Sequence, residues 1–251
     1  MTKAFVAMSG GIDSTTVFHY AMGNYDEVEA ISIDYGQRHK KEADFAKETC
    51  RDFKVKHTTL KVNNLNPANT MLTDSNVEIP DIDYADIKGV SPTYVPFRNG
   101  NIMAQITAYA QAEVKQRIDA YADINTMDVE PSMADIEHAM TVHKDFATVL
   151  VGIHAEDAKN WAYPDCTPEF FGAMANAVYI GTYFTVRLSA PILFNTKEQI
   201  IKWGTELGVD WSNTWSCYAG GDKHCGTCPT CRARKAGFIA AGVYDPTEYA
   251  S

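Results

Sequence analysis

A glycine-rich turn near the start of the chain restricts what the protein can fold into. The segment "AMSGGIDSTT" (7–16) joins the apolar run 4–8 to a stretch from about Ser14 to Met22 that is typical of a helix. A second apolar run, 29–33, follows that helix. Strand, helix and strand in this order form a βαβ unit, whose strands lie parallel and are joined by a right-handed crossover. The turn therefore predicts an α/β protein with a parallel sheet.

The rest of the chain continues the alternation of strands and helices. We expect further helices at about 40–53, 101–114, 168–182 and 196–207, and further strands at about 55–62, 146–153 and 184–193. Residues 63–96 are rich in Pro, Asn and Asp and predict a long loop. Ser132, with Asp135 three residues later, predicts a helix start, so residues 111–145 are interpreted as a helical insertion. We expect one domain over 1–251.

The charge balance restricts the partners of the chain. It carries 32 acidic and 22 basic residues, a net charge of −10, and no long basic run. Such a surface repels a nucleic-acid backbone, so we expect no nucleic-acid partner. No apolar stretch reaches the roughly 18 residues that span a bilayer, and no secretory signal is evident. We therefore expect no membrane association and a cytoplasmic location.

The glycine turn has the features of a phosphate site. A helix that starts after glycines presents several backbone N–H groups and the positive end of its dipole to an anion. No Gly-Lys-Ser/Thr sequence follows, so the turn is not a Walker A loop, and the Gly-x-Gly-x-x-Gly dinucleotide fingerprint is also absent. Without a Walker lysine, the turn suits a held pyrophosphate with chemistry at the α-phosphorus. The alternative is a turn that only packs a helix against the sheet.

The phosphate interpretation names specific residues. Asp13 would hold Mg²⁺ on the phosphate tail of a bound nucleotide. The predicted ATP-binding residues are Met8, Ser9, Gly10, Gly11, Ile12, Asp13, Ser14, Thr15 and Thr16.

Four of the six cysteines lie close together near the C-terminus. Thiolates at this spacing can surround one tetrahedral ion at Zn–S distances of about 2.3 Å. A zinc ion with four protein ligands has no open position for water, so its role would be structural. The predicted zinc-binding segment is about 214–235, with the ligands Cys217, Cys225, Cys228 and Cys231. The alternatives are a redox Cys-x-x-Cys pair, chance crowding of cysteines, and an RNA-binding zinc knuckle. Arg232, Arg234 and Lys235 support the knuckle only slightly, since in an acidic chain they are expected to solvate the start of a helix.

Five segments of the chain carry a resemblance to a known family. "SGGIDS" resembles the signature of the ATP pyrophosphatase (PP-loop) superfamily, whose members cleave ATP to AMP and pyrophosphate. Within it, the 7-cyano-7-deazaguanine synthase family of the queuosine pathway is similar in four further segments over residues 3–110 and 146–251. These segments are "IDYGQRHKKE" (33–42), "VPFRN" (95–99), "YPDCTPEF" (163–170) and "TWSCYAGGDKHCGTCPTCRARKAGF" (214–238).

The resemblance implies a fold and an activity. The fold would be Rossmann-like, of the adenine nucleotide alpha hydrolase-like type, with helices on both faces of the sheet. The chain would be an ATP-dependent C–N ligase that converts 7-carboxy-7-deazaguanine and ammonia to 7-cyano-7-deazaguanine. The reaction would pass through an adenylated carboxylate and an adenylated amide, each formed with release of pyrophosphate and then losing AMP. The resemblance also suggests a homodimer, Zn²⁺ as a structural ion and Mg²⁺ with ATP.

Candidate catalytic and substrate-binding residues follow predicted strands or open a predicted helix. Arg98 can grip a carboxylate or phosphate at two points, and His39 can take a proton from the amine nucleophile. The predicted catalytic residues are Asp13, His39 and Arg98, and the predicted substrate-binding residues are Arg38, Arg98, Asn99, Asp157, Tyr163, Asp165 and Cys166. For each, a structural role is the alternative: a surface arginine, a packed loop or a buried thiol.

Two departures from the family pattern leave other activities open. His154 stands where the family has asparagine, and Thr167 stands where it often has arginine. Both flank the predicted base pocket, so the alternative is a relative that stops at 7-amido-7-deazaguanine. More distant alternatives are an amidation like that of NAD synthetase and a zinc-dependent RNA-binding module.

Overall fold

The structure is a computed structural model of the chain that describes residues 2–37, 40–62, 70, 72–73, 88–125, 132 and 147–250. The strands are β1 (Lys3–Ala7), β2 (Glu27–Asp34), β3 (Lys56–Lys61), β4 (Ala147–Leu150) and β5 (Val186–Ser189). The helices are α1 (Ile12–Asn24), α2 (Lys41–Asp52), α3 (Arg98–Asn125), α4 (Pro168–Gly181), α5 (Lys197–Glu206) and α6 (Pro229–Ala241). Strands and helices alternate through most of the chain, which confirms the predicted α/β class.

The five strands form one parallel sheet in the order β3-β2-β1-β4-β5. The chain builds outward from β1 through β2 to β3, and then returns to place β4 on the other side of β1. Lys3 of β1 pairs with Glu27 of β2 on one side and with Ala147 of β4 on the other. Such a reversal of strand order opens a crevice at the carboxyl ends of the two central strands, where parallel sheets bind ligands.

Helices cover both faces of the sheet, as predicted from the resemblance. Alternate residues of β1 point to opposite faces. Phe5 packs in a core with Met103 and Ile106 of α3, while Val6 packs in a second core with Phe18 of α1 and with residues of α5 and α6. All five of these side chains are fully buried. The sheet is therefore apolar on both sides, which suits a parallel sheet between two helical layers.

Several elements differ from their predicted bounds. Helix α3 begins earlier than predicted and continues into the segment interpreted as an insertion. Strand β5 is shorter than the predicted 184–193, because Tyr183 and Phe184 adopt positive φ angles of 52° and 65° before it and Pro191 follows it. Most of the predicted loop 63–96 and most of 126–146 lie outside the described residues.

A buried ion network stabilises the amino-terminal half of the sheet. The Glu29 side chain on β2 is only 1% exposed and lies 3.3 Å from Lys3 Nζ and 3.1 Å from Lys56 Nζ. The hydroxyls of Thr58 and Tyr109 each donate a hydrogen bond of 2.9 Å to its Oε1. A buried carboxylate is tolerated because every one of these groups compensates its charge.

We expect Glu29→Ala to lower the free energy of unfolding by about 2 kcal/mol, because Lys3 would keep only the more exposed Glu113 as its counterion and the Thr58 hydroxyl would lose its acceptor. The matched control is Glu48→Ala on α2, whose partner Arg51 is 70% exposed. Exposed pairs contribute about 0–1 kcal/mol, so this variant should unfold close to the wild type. Urea denaturation measures both variants, and we expect the dependence of the unfolding free energy on urea concentration to be unchanged. Equal unfolding midpoints for the two variants would contradict the assigned role of Glu29.

Candidate active site

The loop between β1 and α1 is held by close contacts at Gly10. Gly10 has a φ of +93°, and a Cβ there would lie 2.1 Å from the carbonyl oxygen of Glu42 in the first turn of α2. On the other side, the N–H of Trp215 donates a 2.9 Å hydrogen bond to the Gly10 carbonyl. Only glycine allows both this backbone conformation and this approach.

The amino end of α1 is open to an anion. Gly11 is the N-cap residue, and no side chain caps the helix. The hydroxyl of Ser14 instead accepts the N–H groups of Ser9 and Gly10, each at 3.2 Å, and so fixes the loop. The first-turn N–H groups of a helix have no intrahelical partner, so they are available to a phosphate.

A second glycine lets β4 come close to this helix. A Cβ on Gly152 would lie 3.0 Å from the carbonyl carbon of Asp13 and 3.0 Å from the amide nitrogen of Ser14. The absence of a side chain therefore brings the loop after β4 against the start of α1. The two loops meet at the crevice that the strand order predicts.

A cavity of about 300 Å³ fills this crevice. That is within the range of small-molecule sites. It is bounded by the loop after β1, the ends of β2 and β4, the start of α3, and segments of α5, α6 and the loop before α6. Of the predicted site residues, it brings together Met8, Ser9, Gly11, Ile12, Asp13, Ser14, Arg98, Asn99, Asp157 and Cys166.

A charged cluster lies beside the amino end of α1. Lys197 Nζ donates hydrogen bonds of 2.7 and 2.8 Å to the two carboxylate oxygens of Asp13, and lies 3.1 Å from His154 Nε2. The same His154 nitrogen is 3.4 Å from Asp157 Oδ2. Four polar side chains from α1, α5 and the loop after β4 therefore form one continuous network.

Within this network, Asp13 and Lys197 keep each other charged. Burial raises the pKa of Asp13, but the Lys197 ammonium and the His154 ring outweigh it, so this pKa lies below its ordinary value. Burial lowers the pKa of Lys197, but the Asp13 and Asp157 carboxylates outweigh that effect and raise it above its ordinary value. The cavity therefore holds a fixed ammonium next to the anion site.

Another part of the cavity wall is formed by the amino end of α3. The N–H of Asn99 donates a 2.9 Å hydrogen bond to Asp165 Oδ2, and its side-chain amide lies 3.2 Å from Cys166 Sγ. Burial raises the pKa of the Cys166 thiol well above its ordinary value, so the thiol stays neutral. It is suited to contact a ligand and not to act as a nucleophile.

Several predicted site residues lie away from the cavity wall. The Asp165 carboxylate is 4% exposed and binds the start of α3, and the Tyr163 hydroxyl contacts Ser91 and Thr93. Gly10 lies against α2, and Thr15 and Thr16 face the core beneath the loop. Their contribution to a ligand site would therefore be to hold other residues in place. Arg38 and His39 lie outside the described residues.

Other residues reach the cavity that sequence reasoning missed. They include Tyr35, Glu42, Lys197, Trp215 and Tyr218. A signal existed for Lys197, which follows Thr196 in a capping box at the start of α5 and therefore opens a helix after β5. Glu42 closes the segment "IDYGQRHKKE" that carries the family resemblance. Lys197 on α5 and Glu42 on α2 come from helices whose approach to the loop between β1 and α1 is visible only in the structure.

The four clustered cysteines form a candidate metal centre. The sulfur atoms of Cys217, Cys225, Cys228 and Cys231 all lie within 4.8 Å of one another, and the Cys225 and Cys231 sulfurs are 3.9 Å apart. Thiolates about 2.3 Å from one tetrahedral ion would be roughly 3.8 Å apart. The N–H groups of Cys225 and Cys228 also point at ligand sulfurs, each at 3.3 Å. The residues present therefore fit a metal ion.

The cysteine segment is part of the cavity wall. Ser216, Cys217 and Tyr218 line the cavity directly, and Trp215 stacks on Phe45 of α2 with ring centroids 5.7 Å apart. A metal ion in this segment would hold the wall in place.

Arg234 on α6 is a structural residue. Its guanidinium is fully buried, with Nε 3.1 Å from Asp245 Oδ1 and with hydrogen bonds to Thr214 Oγ1 and the Trp211 carbonyl. The interpretation of this residue as part of an RNA-binding surface is therefore wrong, because its charge is neutralised inside the protein.

The comparisons with known proteins agree with the sequence resemblance. The family model described as "Queuosine biosynthesis protein QueC" matches residues 3–131 and 132–242. The chain belongs to the QueC family. The matched ranges together run through 111–145, so the resemblance extends further than the five segments indicated.

Two curated relatives from different organisms share one protein name. The "7-cyano-7-deazaguanine synthase" of Thermoplasma acidophilum is 36% identical over 252 residues, which cover 98% of this chain and 92% of that protein. The protein of the same name from Caldicellulosiruptor saccharolyticus is 36% identical over 248 residues, which cover 98% and 95%. The chain is thus an enzyme of this family.

Solved structures of lower similarity were also found. NMN synthetase from Francisella tularensis is 13% identical with a TM-score of 0.39, covering 97% of this chain and 77% of its own. The U34-tRNA thiolase NcsA from Methanococcus maripaludis, with its [4Fe-4S] cluster, is 13% identical with a TM-score of 0.39, covering 84% and 58%. In the described part of the chain, no helix has the length and apolarity needed to span a membrane.

We expect Gly10→Ala to lower the free energy of unfolding by at least about 2 kcal/mol, because a Cβ at positive φ would also collide with α2. Gly23→Ala is the matched control, since a Cβ at that position on α1 would meet no atom within 4 Å. Alanine there should be neutral or stabilise the helix by up to about 1 kcal/mol. Urea denaturation measures both, and a Gly10→Ala protein as stable as the wild type would contradict the role of Gly10.

Proposed function

We propose that the chain converts 7-carboxy-7-deazaguanine and ammonia to 7-cyano-7-deazaguanine with ATP, which becomes AMP and pyrophosphate. One observation carries the proposal: the uncapped amino end of α1 faces a cavity that also holds the Lys197 ammonium and Arg98. An uncapped helix start and the Lys197 ammonium suit a nucleotide phosphate tail, and the Arg98 guanidinium suits a substrate carboxylate. The membership of the QueC family and the names of the relatives supply the base and the product.

The first stage is adenylation. A carboxylate is a poor acyl donor, because oxide is a poor leaving group. Attack of its oxygen on the α-phosphorus forms an acyl-adenylate and releases pyrophosphate. The N–H groups of α1 and the Lys197 ammonium would stabilise the negative charge that develops on the departing pyrophosphate. Mg²⁺ held by Asp13, when bound with ATP, would supply further charge neutralisation.

The substrate carboxylate requires its own cation. Arg98 stands at the start of α3 and lines the same cavity as Lys197. A guanidinium can bind a carboxylate through two parallel hydrogen bonds. We assign Arg98 to orienting the carboxylate, and Asn99, Asp157 and Cys166 to contacts with the deazaguanine ring. The roles predicted for Arg38 and His39 stay predictions. For Tyr163 and Asp165, the prediction is that they support the cavity wall.

The second stage replaces oxygen by nitrogen. Ammonia attacks the acyl-adenylate, AMP leaves, and an amide forms. A second ATP would adenylate the amide oxygen, and loss of AMP and the N–H protons would leave the nitrile. A reaction that stops at the amide is the second candidate, because His154 replaces the expected asparagine and contacts Lys197 directly. Thr167 gives it no support, since its hydroxyl accepts the N–H of Phe170 and caps α4.

The remaining expectations concern metal and partners. The four cysteine thiols fit Zn²⁺, and we propose a structural zinc ion. The substrates are small molecules, and we keep the proposals of a homodimer and of no nucleic-acid partner. The burial of Arg234 removes one of the three basic residues that would favour RNA binding, which supports the absence of a nucleic-acid partner.

We expect the purified protein with ATP, Mg²⁺, ammonium and 7-carboxy-7-deazaguanine to release AMP and pyrophosphate, with two ATP consumed per nitrile. Chromatography of the nucleotides and mass spectrometry of the base measure this. Lys197→Ala should lower kcat by about 100-fold, since it removes a preorganised cation from the reacting phosphate. Lys202→Ala is the control, because that lysine lies on the same helix and pairs with the exposed Glu198.

Three outcomes distinguish the candidates. ADP and orthophosphate as products would overturn the proposed reaction. The amide alone, with excess ATP, would favour the second candidate. Equal turnover of the Lys197 and Lys202 variants would remove Lys197 from the mechanism while leaving the reaction intact.

For the metal, we expect about one zinc ion per chain by elemental analysis of the purified protein. Cys231→Ser should lose the ion and lower the melting temperature, because the buried thiolate ligand is removed. Cys50→Ser on α2 is the control: that thiol is also buried but is outside the cluster, so the zinc content should not change. Full zinc occupancy in the Cys231 variant would contradict the four-cysteine site.

A further inference from the structure

The proposed reaction requires a proton acceptor that its assigned residues do not supply. Ammonia must lose a proton after it attacks the acyl-adenylate, and the amide nitrogen loses both of its protons on the way to the nitrile. The base must therefore act more than once in each turnover. His39, the base expected from sequence, lies outside the described residues.

Three carboxylates line the cavity among the described residues: Asp13, Glu42 and Asp157. Asp13 accepts two hydrogen bonds from Lys197, which also lowers its affinity for protons. Asp157 lies 3.4 Å from His154 Nε2. Glu42 differs from both, because no described residue donates a hydrogen bond or forms an ion pair with its carboxylate. It is the carboxylate left free to receive a proton.

The position of Glu42 is fixed by the contact that fixes the nucleotide loop. Its backbone carbonyl packs against Gly10, and its Oε1 lies 3.9 Å from the point where a Cβ on Gly11 would stand. The carboxyl group therefore sits on the cavity side of the loop, beside the start of α1. A phosphate bound there would place the reacting carbon within the same part of the cavity.

The surroundings of Glu42 suit proton transfer at neutral pH. Burial raises the pKa of its carboxyl to about 7, helped by the negative charge of Asp13 on α1 and opposed by the positive charge of Arg98 on α3. A general base is most effective when its pKa lies near the working pH, since it can then both accept and release protons. A carboxyl with an ordinary pKa would be a much weaker base.

We propose that Glu42 is the catalytic base that accepts protons from the reacting nitrogen in the ammonia-dependent steps. This rests on the proposed function. As ammonia attacks the acyl carbon, the C–N bond forms, the bond from that carbon to the phosphate oxygen breaks, and AMP leaves with the electron pair. The nitrogen proton passes to Glu42 and then to water. In the second stage, Glu42 takes the two N–H protons of the adenylated amide in turn and passes each to water, and AMP leaves with the electron pair of the broken C–O bond as the C≡N bond is completed.

Glu42→Gln tests this assignment against Glu48→Gln, the same change at an exposed position on the same helix. Adenylation is measured alone, as pyrophosphate release with ATP and the carboxylate substrate in the absence of ammonia. Amide and nitrile formation are then followed after ammonia is added, at several pH values and per concentration of free NH₃. Glu42→Asp, which keeps the base on a shorter side chain, serves as the conservative variant.

We expect Glu42→Gln to release pyrophosphate within about threefold of the wild-type rate but to slow the ammonia-dependent steps by 10²- to 10⁴-fold, the usual contribution of a general base. In the wild type, the ammonia-dependent rate should rise with pH to a plateau above about 7, because the protonated carboxyl cannot accept a proton. This rise should be absent in Glu42→Gln and partly restored in Glu42→Asp. Glu48→Gln should match the wild type.

Other outcomes overturn the assignment. Unchanged ammonia-dependent rates in Glu42→Gln would exclude Glu42 as the base. An equal loss of adenylation, or a higher requirement for Mg²⁺, would instead make Glu42 a ligand of the metal or a support of the loop. If the wild type releases no AMP and pyrophosphate, the proposed function itself fails, and this is detected before any variant is compared.

Discussion

The packing of Gly10 against the first turn of α2 is the contact on which the site depends. The Glu42 carbonyl occupies the space that a side chain at position 10 would need, and the Trp215 N–H holds the Gly10 carbonyl from the other side. Segments that are more than 200 residues apart in the chain therefore meet at one residue. The contact fixes the loop that begins α1, and it brings the α2 carboxyl and the cysteine segment to the same cavity.

The charged side chains of the cavity are arranged so that positive charge remains beside the anion site. Lys197 is held by Asp13, and the pair remains ionised because each side chain shifts the pKa of the other in the direction of charge. Arg98, at the start of α3, also lines the cavity. A ligand that carries a phosphate tail and a carboxylate would thus meet two cations. The carboxyl of Glu42 responds to the negative charge of Asp13 and to the positive charge of Arg98.

The sequence predicted the fold because its signals are local. The apolar run 4–8, the glycine turn and the helix after it are contiguous, and they define the βαβ unit without reference to the rest of the chain. The spacing of the four cysteines likewise predicted a metal site, since close spacing limits the sulfurs to a small volume. The roles of Tyr163 and Asp165 were harder to assign. Both follow β4 as expected, but whether a side chain faces the cavity or contacts α3 and the segment before it depends on the path of that loop through the tertiary structure.

By itself, the sequence determined the parallel α/β fold, the loop that presents the start of α1, the four clustered thiols and the membership of the QueC family. These depend on residues that are neighbours in the chain or on motifs in a fixed order. Only the tertiary structure decided that Lys197 binds Asp13, that Arg234 is buried, and that Glu42 lies beside Gly11 with a raised pKa. Each of these results from the approach of distant helices, and burial and charge at such contacts are set by packing.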